Sequence, residues 1–219
     1  MALVIESDTF SRNTADSTTL VVTMPSTRPD ADLYIFIGGL HGDTGWGSIP
    51  AHWTEIVTDS HATQVRSTAY SWLGDSEPTS YTLTQNSEES WGVVYRITGH
   101  GLENPINVSG SDSGNETNTP SVSVTTTLDN CLVLAMATVY SRRVNSVPAT
   151  EDAGGATSDV ELDFNQVGYG LYHFTQVTAG ATPIGNFTNS VAGTAALTVA
   201  IGPNTAVPSD ERGYTFFGI

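Results

Sequence analysis

Lysine is missing from this sequence, cysteine occurs once, and no stretch of about 18 consecutive apolar residues is present. Each absence closes off a class of protein. Without lysine, all seven cationic side chains are arginine, set against 23 aspartates and glutamates, for a net charge of −16. A surface so negative repels phosphate backbones and anionic headgroups, so neither nucleic acid nor a membrane is expected as a partner. It also suits high ionic strength, where screening removes the cost of self-repulsion. One cysteine cannot build a disulfide framework, and a chain of 219 residues needs none, since a domain of that size buries roughly 70% of its unfolded surface. Cys131 lies in an apolar run and reads as a buried, inert thiol. The opening Met1-Ala-Leu-Val-Ile-Glu6 has no basic n-region, so no signal peptide is read there.

Catalytic signatures are equally scarce. The histidines at 41, 52, 61, 100 and 173 form no His-x-His, His-x-x-x-His or His/Cys cluster, so no zinc site is expected. There is no Gly-x-Ser-x-Gly elbow for a serine nucleophile and no glycine-rich phosphate loop. Glu88, Glu89 and Asp75 with Glu77 are the candidates for a hydrolytic carboxylate pair, and they fall in turns where acids are normally solvated. Asp30 with Asp32, and Ser111-Asp-Ser-Gly-Asn-Glu116, offer hard oxygens but keep no EF-hand register. The expectation is a protein without cofactor or metal that is not an enzyme.

What the chain does have is a succession of short Val-, Ile-, Thr- and aromatic-rich runs bounded by Gly, Pro, Asn, Asp and Ser. About twelve strands are read, at 2–5, 19–24, 33–38, 53–59, 64–73, 80–84, 91–98, 122–126, 131–139, 160–165, 170–177 and 195–201. Tyr81 and Leu83 alternate with Thr82 and Thr84, the pattern of a strand with one buried face. The runs from Leu33 and from Cys131 are continuously apolar, as central strands covered on both sides would be. These features predict an all-β, two-sheet antiparallel sandwich of jelly-roll type in one domain, residues 1–201. Segments 39–52, 103–121 and 141–159 read as long polar loops, and no internal repeat is evident.

Residues 202–219 form an apolar tail ending Tyr214-Thr-Phe-Phe-Gly-Ile219. Tyr214, Phe216, Phe217 and Ile219 would be costly in water, so the tail is expected to dock on this domain or on a neighbour. With the first strand (Ala2, Leu3, Val4 and Ile5) these residues are the candidate assembly elements. Trp46, in the loop Asp43-Thr-Gly-Trp-Gly47, is the candidate for stacking on a sugar ring.

Several short stretches carry a resemblance. They are residues 25–33, Ile49-Pro-Ala-His-Trp-Thr-Glu-Ile56, Ser76-Glu-Pro-Thr-Ser-Tyr-Thr82, Asn104-Pro-Ile106, Thr125-Thr-Thr-Leu-Asp-Asn130 and Ala179-Gly-Ala181. Together, over roughly 19–203, they resemble small β-sandwich structural proteins of tailed-bacteriophage virions. His52 stands where the resemblance leads one to expect glycine. Pro50, Trp53, Thr54, Glu77, Pro78 and Tyr81 are the structural motif: Pro50 sets a turn, Trp53 plugs an end of the sandwich, and Glu77-Pro78 ends one strand before the Tyr81 strand begins. The resemblance implies a virion component, either a capsid decoration or cement protein or a tail or fibre accessory. Its partners would be other virion proteins and copies of itself, with a host glycan as the alternative ligand.

Overall fold

A computed structural model describes residues 2–42, 44–120, 122–140, 157–162, 167–183 and 185–205. These residues form ten strands and no helix: β1 Val4–Thr23, β2 Leu33–His41, β3 Thr54–His61, β4 Val65–Leu73, β5 Ser80–Thr98, β6 Ile106–Pro120, β7 Cys131–Tyr140, β8 Thr157–Leu162, β9 Val167–Gln176 and β10 Asn186–Ile201. All pairs are antiparallel, in two five-stranded sheets of order β1-β5-β2-β4-β3 and β6-β10-β7-β9-β8. The central strands are β2 and β7, the two continuous apolar runs, and both are buried almost throughout.

Two strand faces need two covers. Leu33, Ile35 and Ile37 of β2 meet Leu132, Leu134 and Met136 of β7 in the core between the sheets. Tyr34 and Phe36 point the other way, into a second cluster with Leu20, Val22, Leu83 and Trp72. The chain supplies that outer cover by folding its longest strands back. β1 and β5 pair from Val4 and Thr98 to Asn13 and Ser90, slip register, and resume from Thr19 and Thr84 to Thr23 and Ser80. Thr23 N–H then donates to Ser11 Oγ (2.9 Å) and Asn13 Nδ2 to the Thr19 carbonyl (2.6 Å), so β1 lies partly over itself. The second sheet repeats the device: β10 slips register against β6 between Thr188 and Ala192, and Phe187 beyond the slip is buried against Tyr172.

This corrects the expected topology in two respects. The predicted strands 2–5 and 19–24 are one bent strand, as are 80–84 and 91–98. The predicted strand 122–126 is extended chain with a single bridge, Thr125 to Ala181. Nor do consecutive strands pass between sheets in jelly-roll fashion, because each sheet is drawn from one contiguous half of the chain. The other difference is β6, which occupies a segment read as loop. It is an edge strand bonded to β10 alone, so its Ser-, Gly- and Asn-rich sequence buries little and carries no apolar signature.

The matching strand orders reveal a repeat. Leu33 pairs with Leu73 and Ile97, while Leu132 pairs with Thr175 and Ile201, which makes Leu33 and Leu132 counterparts. In the same frame Trp91 corresponds to Ala195, Ser67 to Tyr169 and His41 to Tyr140. Contacts between the sheets obey an approximate twofold relation. Trp91 stacks on Tyr169 (4.2 Å between ring centroids), and in the mirrored position Ser67 Oγ lies 2.9 Å from the Ala195 carbonyl and 2.8 Å from Thr138 Oγ1. His41 stacks on its own counterpart Tyr140 (5.2 Å). Two rings separate the sheets on one side and a hydroxyl bridges them on the other.

Trp91→Ala should remove about 3–5 kcal/mol of stability, measured by urea unfolding, because it opens a cavity at this contact. Gly39 lies where an added Cβ would come 2.4 Å from Thr138 Oγ1 and 2.7 Å from Trp91 Nε1. Gly39→Val should therefore destabilise by at least about 1–3 kcal/mol through overpacking.

Candidate functional site

The strand ends determine where exposed apolar groups collect. Leu33, at the start of β2, neighbours the ends of β4 and β5, and Val4 pairs with Thr98. The same end of the second half is joined to it by backbone hydrogen bonds, Gly101 N–H to Gly202 O (3.0 Å) and Asn204 N–H to Gly99 O (2.7 Å). At this end lie four of the exposed large apolar residues, Val4, Leu73, Leu102 and Val177, the last two 68% and 65% exposed. At the same end opens a cleft of about 820 Å³ whose lining includes Ala2, Leu3, Leu128, Asn130, Pro203 and Asn204.

Of the candidate assembly residues, Ala2 and Leu3 thus line the cleft and Val4 is exposed beside it. Ile5 is half-buried against the core. Tyr214, Phe216, Phe217 and Ile219 lie outside the described residues.

The structural-motif residues converge elsewhere, on the outer face of the first sheet. Pro50 sets the turn, its carbonyl accepting from Trp53 N–H (3.0 Å). Trp53 does not plug an end of the sandwich; it stacks on Trp72 (4.1 Å, 10°) within the outer cluster, with exposed Thr54 opening β3 beside it. The buried Glu77 carboxylate accepts from the Tyr81 hydroxyl and from Asp75 N–H (3.2 Å), and His52 Nε2 stands 3.8 Å from it. Pro78 is exposed in the turn that follows. Arg28, from the first resembling stretch, donates to the Glu77 and Pro25 carbonyls (3.1 and 2.9 Å). These bonds tie three loops over the tryptophan pair, a bracing role that explains the residue types without any reaction. Trp46 is half-buried and packs edge-on against Phe36 (5.8 Å), leaving only part of its ring to a ligand.

Three other acids are also engaged locally. Asp32 pairs with Arg96 (2.7 Å), Asp30 accepts from Ser76 N–H (2.9 Å), and Glu88 lies 3.7 Å from His41. Among the described residues no group of three or more His, Cys, Asp or Glu is placed to hold a metal ion. Cys131 is buried and donates to the Leu128 carbonyl (3.2 Å), and burial pushes its thiol up. The cleft went unseen in the sequence because it is assembled from Ala2, the 127–130 loop and Pro203, which only the repeat brings together. No family model, no curated protein and no solved structure matches this chain.

Burial, reinforced by the Glu77 carboxylate, raises the Tyr81 phenol, and burial raises Tyr169. The fold therefore favours both phenols neutral. That stabilisation is intact below the free-phenol value of about 10 and is lost as pH climbs through the raised folded values. Urea midpoints should fall above about pH 10, and Tyr169→Phe should make that fall shallower. Tyr81→Phe, which leaves the Glu77 carboxylate short of a donor, should cost about 1–3 kcal/mol at pH 7 by the same measurement.

Proposed function

We propose that this chain is a non-enzymatic structural protein of a virion, a capsid decoration or cement protein that binds neighbouring subunits on the particle surface. The observation that carries the reading is the set of exposed apolar residues at one end of the sandwich, Val4, Leu73, Leu102 and Val177, on an otherwise strongly acidic molecule. Exposed apolar groups gathered at one place, ringed by polar surface, are the composition of a contact face. Of the candidate hydrolytic carboxylates, Glu77 accepts from the Tyr81 hydroxyl and Glu88 lies 3.7 Å from His41. A tail or fibre accessory would use the same face, and copy number separates the two: hundreds per particle for decoration, a handful for a tail part. The glycan reading has less behind it, since Trp46 is turned onto Phe36.

Leu102→Glu with Val177→Glu should leave the urea midpoint within about 0.5 kcal/mol of the parent, both side chains being exposed. Incorporation into particles, read by quantitative mass spectrometry of purified virions, should fall at least tenfold. Unchanged incorporation would refute this face as the contact.

A further inference from the structure

The two halves of the internal repeat differ at the cleft. Ala31 and Asn130 are counterparts, each two residues before the paired positions Leu33 and Leu132, and they share the left-handed backbone at φ 63° and 56°. His100 and Asn204 are counterparts as well, each three residues after Ile97 and Ile201. In the first half these positions are joined by a ring: His100 is buried, with Nε2 3.2 Å from the Ala31 carbonyl and Nδ1 2.9 Å from that of Gly101. The residue three positions beyond Ile97 thus closes the end of its own half. In the second half the counterpart is Asn204, which carries no ring, and the space between it and Asn130 is the cleft. No described group stands within hydrogen-bond reach of the Asn130 carbonyl as His100 Nε2 does of that of Ala31.

We propose that the cleft seats an aromatic ring from the chain's own 214–219 segment, with the Tyr214 hydroxyl donating to the Asn130 carbonyl. The occupant follows from the first half, where the ring comes from the chain immediately downstream of the fifth strand. The chain downstream of β10 lines the cleft as far as Thr205 and carries Tyr214, Phe216 and Phe217 a short distance on. Residues 206–213 span at most about 30 Å, ample to return to a cleft that begins at Thr205. So short a tether also holds the segment at an effective concentration near millimolar, which favours the chain's own cleft over a neighbour's. Of the segment's aromatic residues only Tyr214 can both fill apolar space against Leu3 and Leu128 and donate a hydrogen bond. This docking stands apart from the virion reading: it concerns one chain, and it would hold whatever that chain assembles with.

Disulfide trapping in the full-length protein tests it. Thr175 lines the cleft and is exposed, and Thr215 adjoins Tyr214, so Thr175→Cys with Thr215→Cys leaves the proposed ring in place. Cys131 is kept, being buried. Mild oxidation at low micromolar protein should give a monomer-sized product with the 175–215 linkage, identified by peptide mapping. It should form at least tenfold faster than the linkage from a reference cysteine at exposed Val21 on the outer ribbon, and adding Tyr214→Ala should slow it to the reference rate. Linked dimers or ladders would overturn the proposal in favour of a neighbour's cleft. Free thiols, or a rate indifferent to Tyr214→Ala, would overturn the docking itself.

Discussion

A sheet that is apolar on both faces has to be covered twice, and that constraint governs this molecule. Tyr34 and Phe36 alternate with Leu33, Ile35 and Ile37 along β2, so no single packing partner can remove all of them from water. One set faces the other sheet. The other is met by the chain's own doubled-back ribbons, which is why β1, β5, β6 and β10 are so much longer than the strands between them. The register slips in these strands are the bends that let one pair of strands serve in a sheet and then in its cover. Fully burying each such side chain contributes roughly 1.5–3 kcal/mol, so leaving either layer uncovered would forfeit more than a domain's net stability.

The polar bracing follows from the same constraint. A ribbon laid over a sheet must be pinned at its turns, and the Glu77, Tyr81, His52 and Arg28 bonds do this above the Trp53 and Trp72 stack. The second half manages with lighter means, the Thr182 hydroxyl accepting from Val124 N–H (3.0 Å) and Thr126 N–H bonding to the Gly180 carbonyl (2.8 Å). The stretches that drew attention in the sequence are therefore mostly the places where cover layers are fastened down.

That explains what could be read from the residues and what could not. Strands with a buried face announce themselves by alternation or by continuous apolar runs, and β2, β3, β4, β5, β7, β9 and β10 were all visible in part. β6 was not, because an edge strand satisfied by backbone bonds on one side can be built from Ser, Asn and Gly. The repeat was hidden for a related reason. Ile5 answers to Ile106, Leu33 to Leu132 and Ile97 to Ile201, but loops of unequal length change the spacing at each step. Counterparts such as Trp91 and Ala195 differ because one contact between the sheets is filled by two rings and its equivalent by Ser67 and a main-chain carbonyl. The cleft, made of pieces from both termini of the repeat, had no local signal at all.

The contact between Trp91 and Tyr169 faces, across the twofold relation, one in which a serine hydroxyl touches a main-chain carbonyl. The space between the sheets is therefore filled by an indole against a phenol along one flank and spanned by a single hydroxyl along the other, so a body built from two like halves presents two unlike flanks.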